Sequence, residues 1–266
     1  MTATQKKEAR TFQEGKVRYK YINSIRSTGY TFRTAIGELV DNPIDAGATQ
    51  IEVIMESNNN DELTRVMVVD NGSGMDRQEI LNSYTLGANR DYGKTDIGKY
   101  GKGGTEGSLS LSRKKITISR KNGEITSLGY DLDLIRQYDT WGTCEIAITP
   151  DMEALLPEGN GTVIVLEHID KAKMKCSTLR KRLMSYLSRT YNNFLTDINN
   201  KISLNDKIVR SYDPLYLHQS KSELLQSETI KHKDCEIKVT AAYLHKGIDP
   251  TIRSRGEGGW SRTQGC

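Results

Sequence analysis

Tyr30-Thr-Phe-Arg-Thr-Ala-Ile-Gly-Glu38-Leu-Val-Asp-Asn42-Pro-Ile-Asp45-Ala-Gly47 carries the clearest helical periodicity in the chain. Phe32, Ala35, Ile36, Leu39, Val40 and Ile44 recur on one side at helical spacing and predict an amphipathic helix over 30–46. Glu38, Asp41, Asn42 and Asp45 fall on the other side. Three carboxylates and a carboxamide within two turns are more than solvation needs, and they mark a candidate site. Gly47 stops the helix.

Downstream, 51–55 alternates as a strand. The denser apolar run 65–69 is a second strand, ending on Asp70 with Gly72 and Gly74 behind it. A helix is expected near 76–84, with Asp76 able to cap it. The segment 86–107 is rich in glycine and charge and too long for a simple connector, which points to function. Strands are expected at 115–120, 125–130, 143–149 and 162–167, the first two joined by the hairpin signal Asn122-Gly123. They lack helices of crossover length, so the sheet reads as mixed and largely antiparallel, in an α/β two-layer sandwich. Ser177 is expected to cap a helix with an apolar stripe from Leu179 to Phe194. Asn205-Asp206 reads as a second hairpin turn, and 236–244 as a later strand.

The bulk properties are those of a globular domain. The 266 residues are 27% charged and 36% hydrophobic, with a net charge of +4. The basic clusters at 113–115 and 180–182 read as solvated faces, because no aromatic interleaving accompanies them. No apolar run reaches the roughly 18 residues of a membrane span, and the polar N-terminus has no secretory h-region. Cys144, Cys176, Cys235 and Cys266 include no CxxC, which suits free thiols in a reducing compartment. No membrane partner and a cytoplasmic location (nuclear in a eukaryote) are therefore expected.

Hydrolysis of a triphosphate needs a base to orient water, a metal to bridge phosphate oxygens and amides to hold negative charge. Glu38 and Asn42, four residues apart, can share a pocket. The carboxylate can act as base, and the neutral Asn42 oxygen can ligate Mg²⁺. Asp45 completes the row. Asp70 needs a donor partner where a buried strand meets a turn, and an adenine amine would serve. The loop Gly98-Lys99-Tyr100-Gly101-Lys102-Gly103 can turn amides toward phosphates. A helix starting near Gly104 would add its dipole. A P-loop over 93–100 is rejected, because Tyr100 stands where Ser or Thr must ligate Mg²⁺.

The order and spacing of these parts resemble the superfamily of gyrase, heat-shock chaperones, histidine kinases and MutL, known as GHKL. Glu38-Leu-Val-Asp-Asn42-Pro-Ile-Asp45-Ala-Gly resembles its N box, Asp70-Asn-Gly72-Ser-Gly74-Met75 its first glycine box, and Ile97-Gly98 to Gly103 its second. Gly161-Thr162 is similar to its last box. The lid phrase from Leu86 looks most like MORC-type and related prokaryotic ATPases. The resemblance implies a Bergerat fold and ATP and Mg²⁺ as cofactors. It also implies Glu38 as catalytic base, Asn42 as Mg²⁺ ligand, Asp70 as adenine contact, Met75 as a nucleotide-binding residue and Thr162 near the adenine. It further implies an ATP-gated homodimer formed through the ATP-binding domain, and DNA as a target. The organisation expected is a flexible lead-in at 1–19, an ATP-binding domain at 20–175 and a partial transducer-like (S5-like) domain at 176–266. A missing C-terminal portion or partner chain would supply a further lysine. Pro43 tends to kink the helix between Asn42 and Asp45. Alternatives are a nucleotide-binding module without hydrolysis, and a chaperone-like or histidine-kinase-like ATP-binding domain.

Overall fold

In a computed structural model, the described residues are 16–27, 29–86, 103–213, 222–232 and 235–244. Helix α1 spans Tyr19–Ile25 and α2 Phe32–Asp45. Thr31 caps α2 by accepting from the Thr34 amide, while the Thr34 hydroxyl closes the box on the Thr31 amide. The helix runs through Pro43 without breaking. Pro43 leaves the Leu39 carbonyl without its usual donor, yet the Ala46 amide still bonds to the Asn42 carbonyl and the Ala48 amide to that of Pro43. Gly47, at a φ of +72°, ends the helix in the left-handed region.

Strands β1 (Gln50–Ser57) and β2 (Leu63–Asp70) follow, then α3 (Arg77–Ser83), capped by Asp76 in a box with Glu79. Helix α4 covers Gly103–Leu111 and leads into β3 (Ser112–Lys121) and β4 (Glu124–Asp131). Asn122 and Gly123 turn between these strands with φ of +53° and +86°, as a two-residue hairpin with both central residues left-handed requires. Next come α5 (Leu132–Tyr138), β5 (Cys144–Glu145), α6 (Pro150–Glu153), β6 (Gly161–Ile169), α7 (Cys176–Thr190), α8 (Asn192–Leu195), β7 (Lys201–Leu204) and β8 (Lys207–Ile208). These strands form one sheet in the order β5-β4-β3-β6-β2-β1-β7-β8, antiparallel throughout except for β1 beside β7. The two-layer, mainly antiparallel expectation therefore holds.

Three local expectations change. The strand expected over 143–149 pairs only at Cys144 and Glu145. Ser177 does not cap α7, which begins after Lys175. Its hydroxyl instead donates to Asp61, whose carboxylate also accepts the Ser177 amide and so acts as a remote cap. Lys115, expected on a solvated face, is 4% exposed.

The compact units are Met1–Ser211 and Tyr212–Cys266. In the first, α2 and α7 bury Ile36, Leu39, Leu179, Leu183 and Leu187 against Ile51, Val53 and Val68. The other sheet face packs Ile116, Ile118, Val163 and Val165 against Met152 and Leu156. In the second unit, β9 (Ser222–His232) and β10 (Cys235–Leu244) form an antiparallel pair.

Helix α2 approaches α4 closely because α4 opens on glycines. A Cβ at Gly107 would come 3.3 Å from the Ala35 carbonyl oxygen. Gly107→Val should therefore cost about 1–3 kcal/mol through overpacking. Its urea midpoint, measured with the m-value unchanged, checks this.

Candidate functional site

The polar side of α2 divides in three. Glu38 and Asn42 face α4, where a Cβ at Gly103 would overlap the Glu38 carboxylate. One at Gly104 would come 2.7 Å from the Asn42 amide nitrogen. Glu38 is half-buried and Asn42 exposed, so the row lines an opening rather than filling a core. Asp41 turns instead to Tyr191, whose hydroxyl donates to it at 2.7 Å. Asp45 sits exposed at the end of the helix. Burial, then the charges of Asp41 and Glu106, push the Glu38 carboxyl above its ordinary range. Burial, then the charges of Glu38 and Glu106, push Tyr30 up to about 12. Glu38 thus sits in a negative, partly desolvated corner, which makes it a stronger base than a solvated glutamate.

The second half of the site lies where β2 and β6 meet. Asp70 pairs with Thr162 across the ladder. Its carboxylate is 6% exposed and accepts from the Gly72 amide at 2.8 Å. Burial pushes it up to about 6, although the Gly72 and Thr162 amides draw it back. At Gly74, whose φ is +69°, a Cβ would overlap the Arg120 carbonyl and come 3.3 Å from the Gly161 amide. No side chain fits there. Ser119 ties these parts together. Its hydroxyl donates to the Gly161 carbonyl at 3.0 Å and accepts the Met75 amide at 2.7 Å, leaving the Thr162 hydroxyl, 2.9 Å away, to donate to it.

The two halves touch through the end of α2. The Ser73 amide donates to the Ala46 carbonyl at 3.1 Å, and a Cβ at Gly72 would come 3.1 Å from the Ala46 Cβ. Glu38 therefore lies about 12 Å back along α2 from the Asp70 turn, at 1.5 Å per residue. Glu38, Asn42, Gly103 and Asp70, Gly72, Gly74, Met75, Thr162 come together in this way. Gly98, Lys99, Tyr100, Gly101 and Lys102 lie outside the described residues.

Helix α4 is held at both ends. Lys115 reaches from β3 to the Gly104 carbonyl at 3.4 Å, over the Tyr84 ring at 4.8 Å, and burial alone draws its ammonium down to about 7. At the other end the buried Arg26 donates to the Leu109 carbonyl at 2.9 Å and pairs with Asp170. A separate cleft of about 810 Å³ opens among Glu56, Arg65, Glu167, His168, Lys173 and Lys175. It lies at the opposite ends of β2 and β6, about 17 Å along the strand from Asp70. Its acids and bases largely neutralise one another, with Arg65 within ion-pair range of Glu56 and Glu167. The buried, amide-held carboxylate is the better sign of a site.

Residues 30–162, half of the chain, match the family of histidine kinase-, DNA gyrase B- and HSP90-like ATPases. The chain belongs to this family. Its GHKL region is an ATP-binding domain of the Bergerat kind, similar to MORC proteins. ATPase morc-1 of Caenorhabditis elegans is 35% identical over 112 residues, 40% of this chain and 13% of the relative. ATPase MORC2B of Mus musculus is 29% identical over 121 residues, 44% of this chain and 12% of the relative. Protein MICRORCHIDIA 7 of Arabidopsis thaliana is 31% identical over 118 residues, 42% and 16% respectively. The matched segment thus spans less than a fifth of each relative. No helix among the described residues of this GHKL chain is long and apolar enough to cross a membrane.

Sequence reasoning missed Ser119, Lys115 and the Asp41–Tyr191 contact. Lys115-Ile-Thr-Ile-Ser119 alternates as a half-solvated strand would, so its polar face gave no sign of burial.

Asp70 also predicts a pH dependence. Its folded value, about 6 against an ordinary 3.8, means that the folded state holds the proton more tightly. Its burial carries no penalty below pH 3.8 and a growing one up to pH 6, about 3 kcal/mol at full ionisation. Asp70→Asn should remove that loss, so the variant should gain stability over the parent between pH 4 and 7. Urea unfolding of both proteins across that range checks the sign.

Proposed function

We propose that this chain binds ATP with Mg²⁺ between α2, α4 and the Asp70 turn, and hydrolyses it with Glu38 as general base. The observation that carries the reading is the placement of Glu38 and Asn42 against the first turn of α4, with buried Asp70 about one nucleotide's reach along the same helix. Asp70 would accept the adenine amine, a donor that its buried carboxylate otherwise lacks beyond backbone amides. Ser119 would hold Met75 and Thr162 as walls beside the base. Asn42, exposed and neutral, would offer one oxygen to Mg²⁺, whose remaining ligands would come from phosphate and water. The ion would offset charge on the phosphates. Glu38 would take a proton from the attacking water as the new O–P bond forms and the bond to ADP breaks, giving ADP and phosphate. Gly98–Gly103 would contribute amides to the phosphates.

Beyond the site, lid closure coupled to homodimerisation through this domain, a DNA target and a cytoplasmic or nuclear location form part of the same proposal. Residues 20–175 would be the ATP-binding domain and 176–266 the start of a transducer-like one, with α7 as its first helix.

Glu38→Ala should lower phosphate release at least about 100-fold while ATP affinity stays within about threefold. Equal release by both proteins removes Glu38 from its role. Undetectable release from the parent, with ATP still bound, favours binding without hydrolysis.

Asp70 should also make affinity pH-dependent. Because the amine donor favours the ionised carboxylate, the proton held below about pH 6 must leave on binding. ATP affinity should therefore rise about tenfold from pH 5 to 7 and then level off. Asp70→Asn should bind ATP more weakly at pH 7 and lose this slope. Calorimetric titration at several pH values measures both, and an unaltered affinity in the variant refutes the pocket assignment.

A further inference from the structure

Arg33, Gly37 and Asp41 lie four residues apart along α2 and form one row, facing α7 rather than α4. The Arg33 guanidinium sits over the Tyr186 ring at 5.9 Å. A Cβ at Gly37 would come 2.7 Å from the Tyr186 hydroxyl. Tyr191, 4% exposed, places its hydroxyl 2.9 Å from the Gly37 carbonyl and 2.7 Å from the Asp41 carboxylate. These two atoms belong to the residue just before Glu38 and the residue three after it. The single hydroxyl proton is shared between these two acceptors, so one buried group braces the turn that carries Glu38 at both points.

We infer that Tyr191 is a positioning residue for Glu38: with Tyr186 it clasps the outer side of α2 at Gly37 and Asp41 and so sets how the Glu38 carboxylate meets the first turn of α4. The inference rests on the reading of Glu38 as base. Side-chain ends lie about 5–6 Å from a helix axis, so a 10° rotation of α2 would move the Glu38 carboxylate by about 1 Å. A displacement of that size at a reacting group can cost on the order of 100-fold in rate. The hydroxyl is charge-assisted toward Asp41, which makes it a firm anchor. The Tyr186 ring blocks α2 from sliding toward α7, because only glycine at 37 leaves it room.

The test uses the full chain and three readouts: phosphate release at saturating ATP, affinity for a non-hydrolysable ATP analogue, and hydrogen exchange of residues 35–46. Tyr191→Phe should lower the maximal rate at least tenfold, leave analogue affinity within twofold and speed exchange over 35–46. Asp41→Ala should do the same. The double variant should be no worse than the poorer single one, since both remove one contact. Gly37→Ala is a second route to the same phenotype. Alanine favours the helix, so a rate loss there must come from the clash with Tyr186. Unchanged exchange and rate in Tyr191→Phe overturn the inference, as do equal losses in rate and affinity, which would mark a general structural defect. If the parent releases no more phosphate than Glu38→Ala, the hydrolysis reading fails. The exchange of 35–46 in Tyr191→Phe then decides the clasp by itself.

Discussion

Two helices can lie backbone to backbone only where side chains are absent between them, and the whole site hangs on one such contact. Gly103, Gly104 and Gly107 remove the side chains that would hold α4 away from α2, and the freed space is filled by Glu38, Asn42 and the Ala35 backbone. Dispersion between well-packed atoms falls off within an ångström, so the contact is sensitive to small changes. It also sets a carboxylate and a carboxamide against the first turn of α4. Lys115 and Arg26 then fasten α4 from beneath and behind, one at the first turn and one at the last.

Asp70 shows the other kind of constraint. A buried carboxylate with backbone amide donors but no countercharge costs stability at neutral pH, and an amide side chain of the same shape would avoid the cost. Its retention at the mouth of a glycine turn fits a group whose ionised form is required by something that binds. The surrounding turn is built for the same end. Gly72 offers an amide to that carboxylate, Gly74 lets the chain pass beneath Arg120, and Ser119 locks Met75 to Thr162. The carboxylate is thus held in place by parts that contribute little to the core.

Much of this was legible in the sequence. Helix α2 was readable because its apolar positions keep one period over four turns and Gly47 stops it. The hairpin at Asn122-Gly123 was readable because two left-handed residues suit a two-residue connection. The placement of Glu38 and Asn42 on one face of α2, and of Asp70 where an apolar strand meets a glycine turn, was readable from spacing alone. What escaped depends on long-range contact. Alternation in β3 looks the same whether its polar face meets water or a helix, so the burial of Lys115, Thr117 and Ser119 had no local sign. Helices α1 and α5 are short, and their buried residues find partners far along the chain. The parallel pairing of β7 with β1 is likewise a tertiary fact, set where the chain returns after α7 and α8.

The polar side of α2 is where local reading and packing diverge most. Read as a periodic pattern, Glu38, Asp41, Asn42 and Asp45 are one acidic face. In the fold they serve three environments, because successive helical residues are 100° apart and α2 has neighbours on two sides as well as beneath. Asp41 leaves the face to bind Tyr191, and that departure is useful. Bonded to Tyr191, Asp41 ties the helix to α7 while its charge still reaches Glu38. Helix α7, which begins some 70 residues after Gly103, thereby reaches the turn that carries Glu38. Any movement of α7 relative to the sheet would be felt first at Gly37 and Asp41, on either side of Glu38. The position of the Glu38 carboxylate is therefore set by α7 as much as by the helix that bears it.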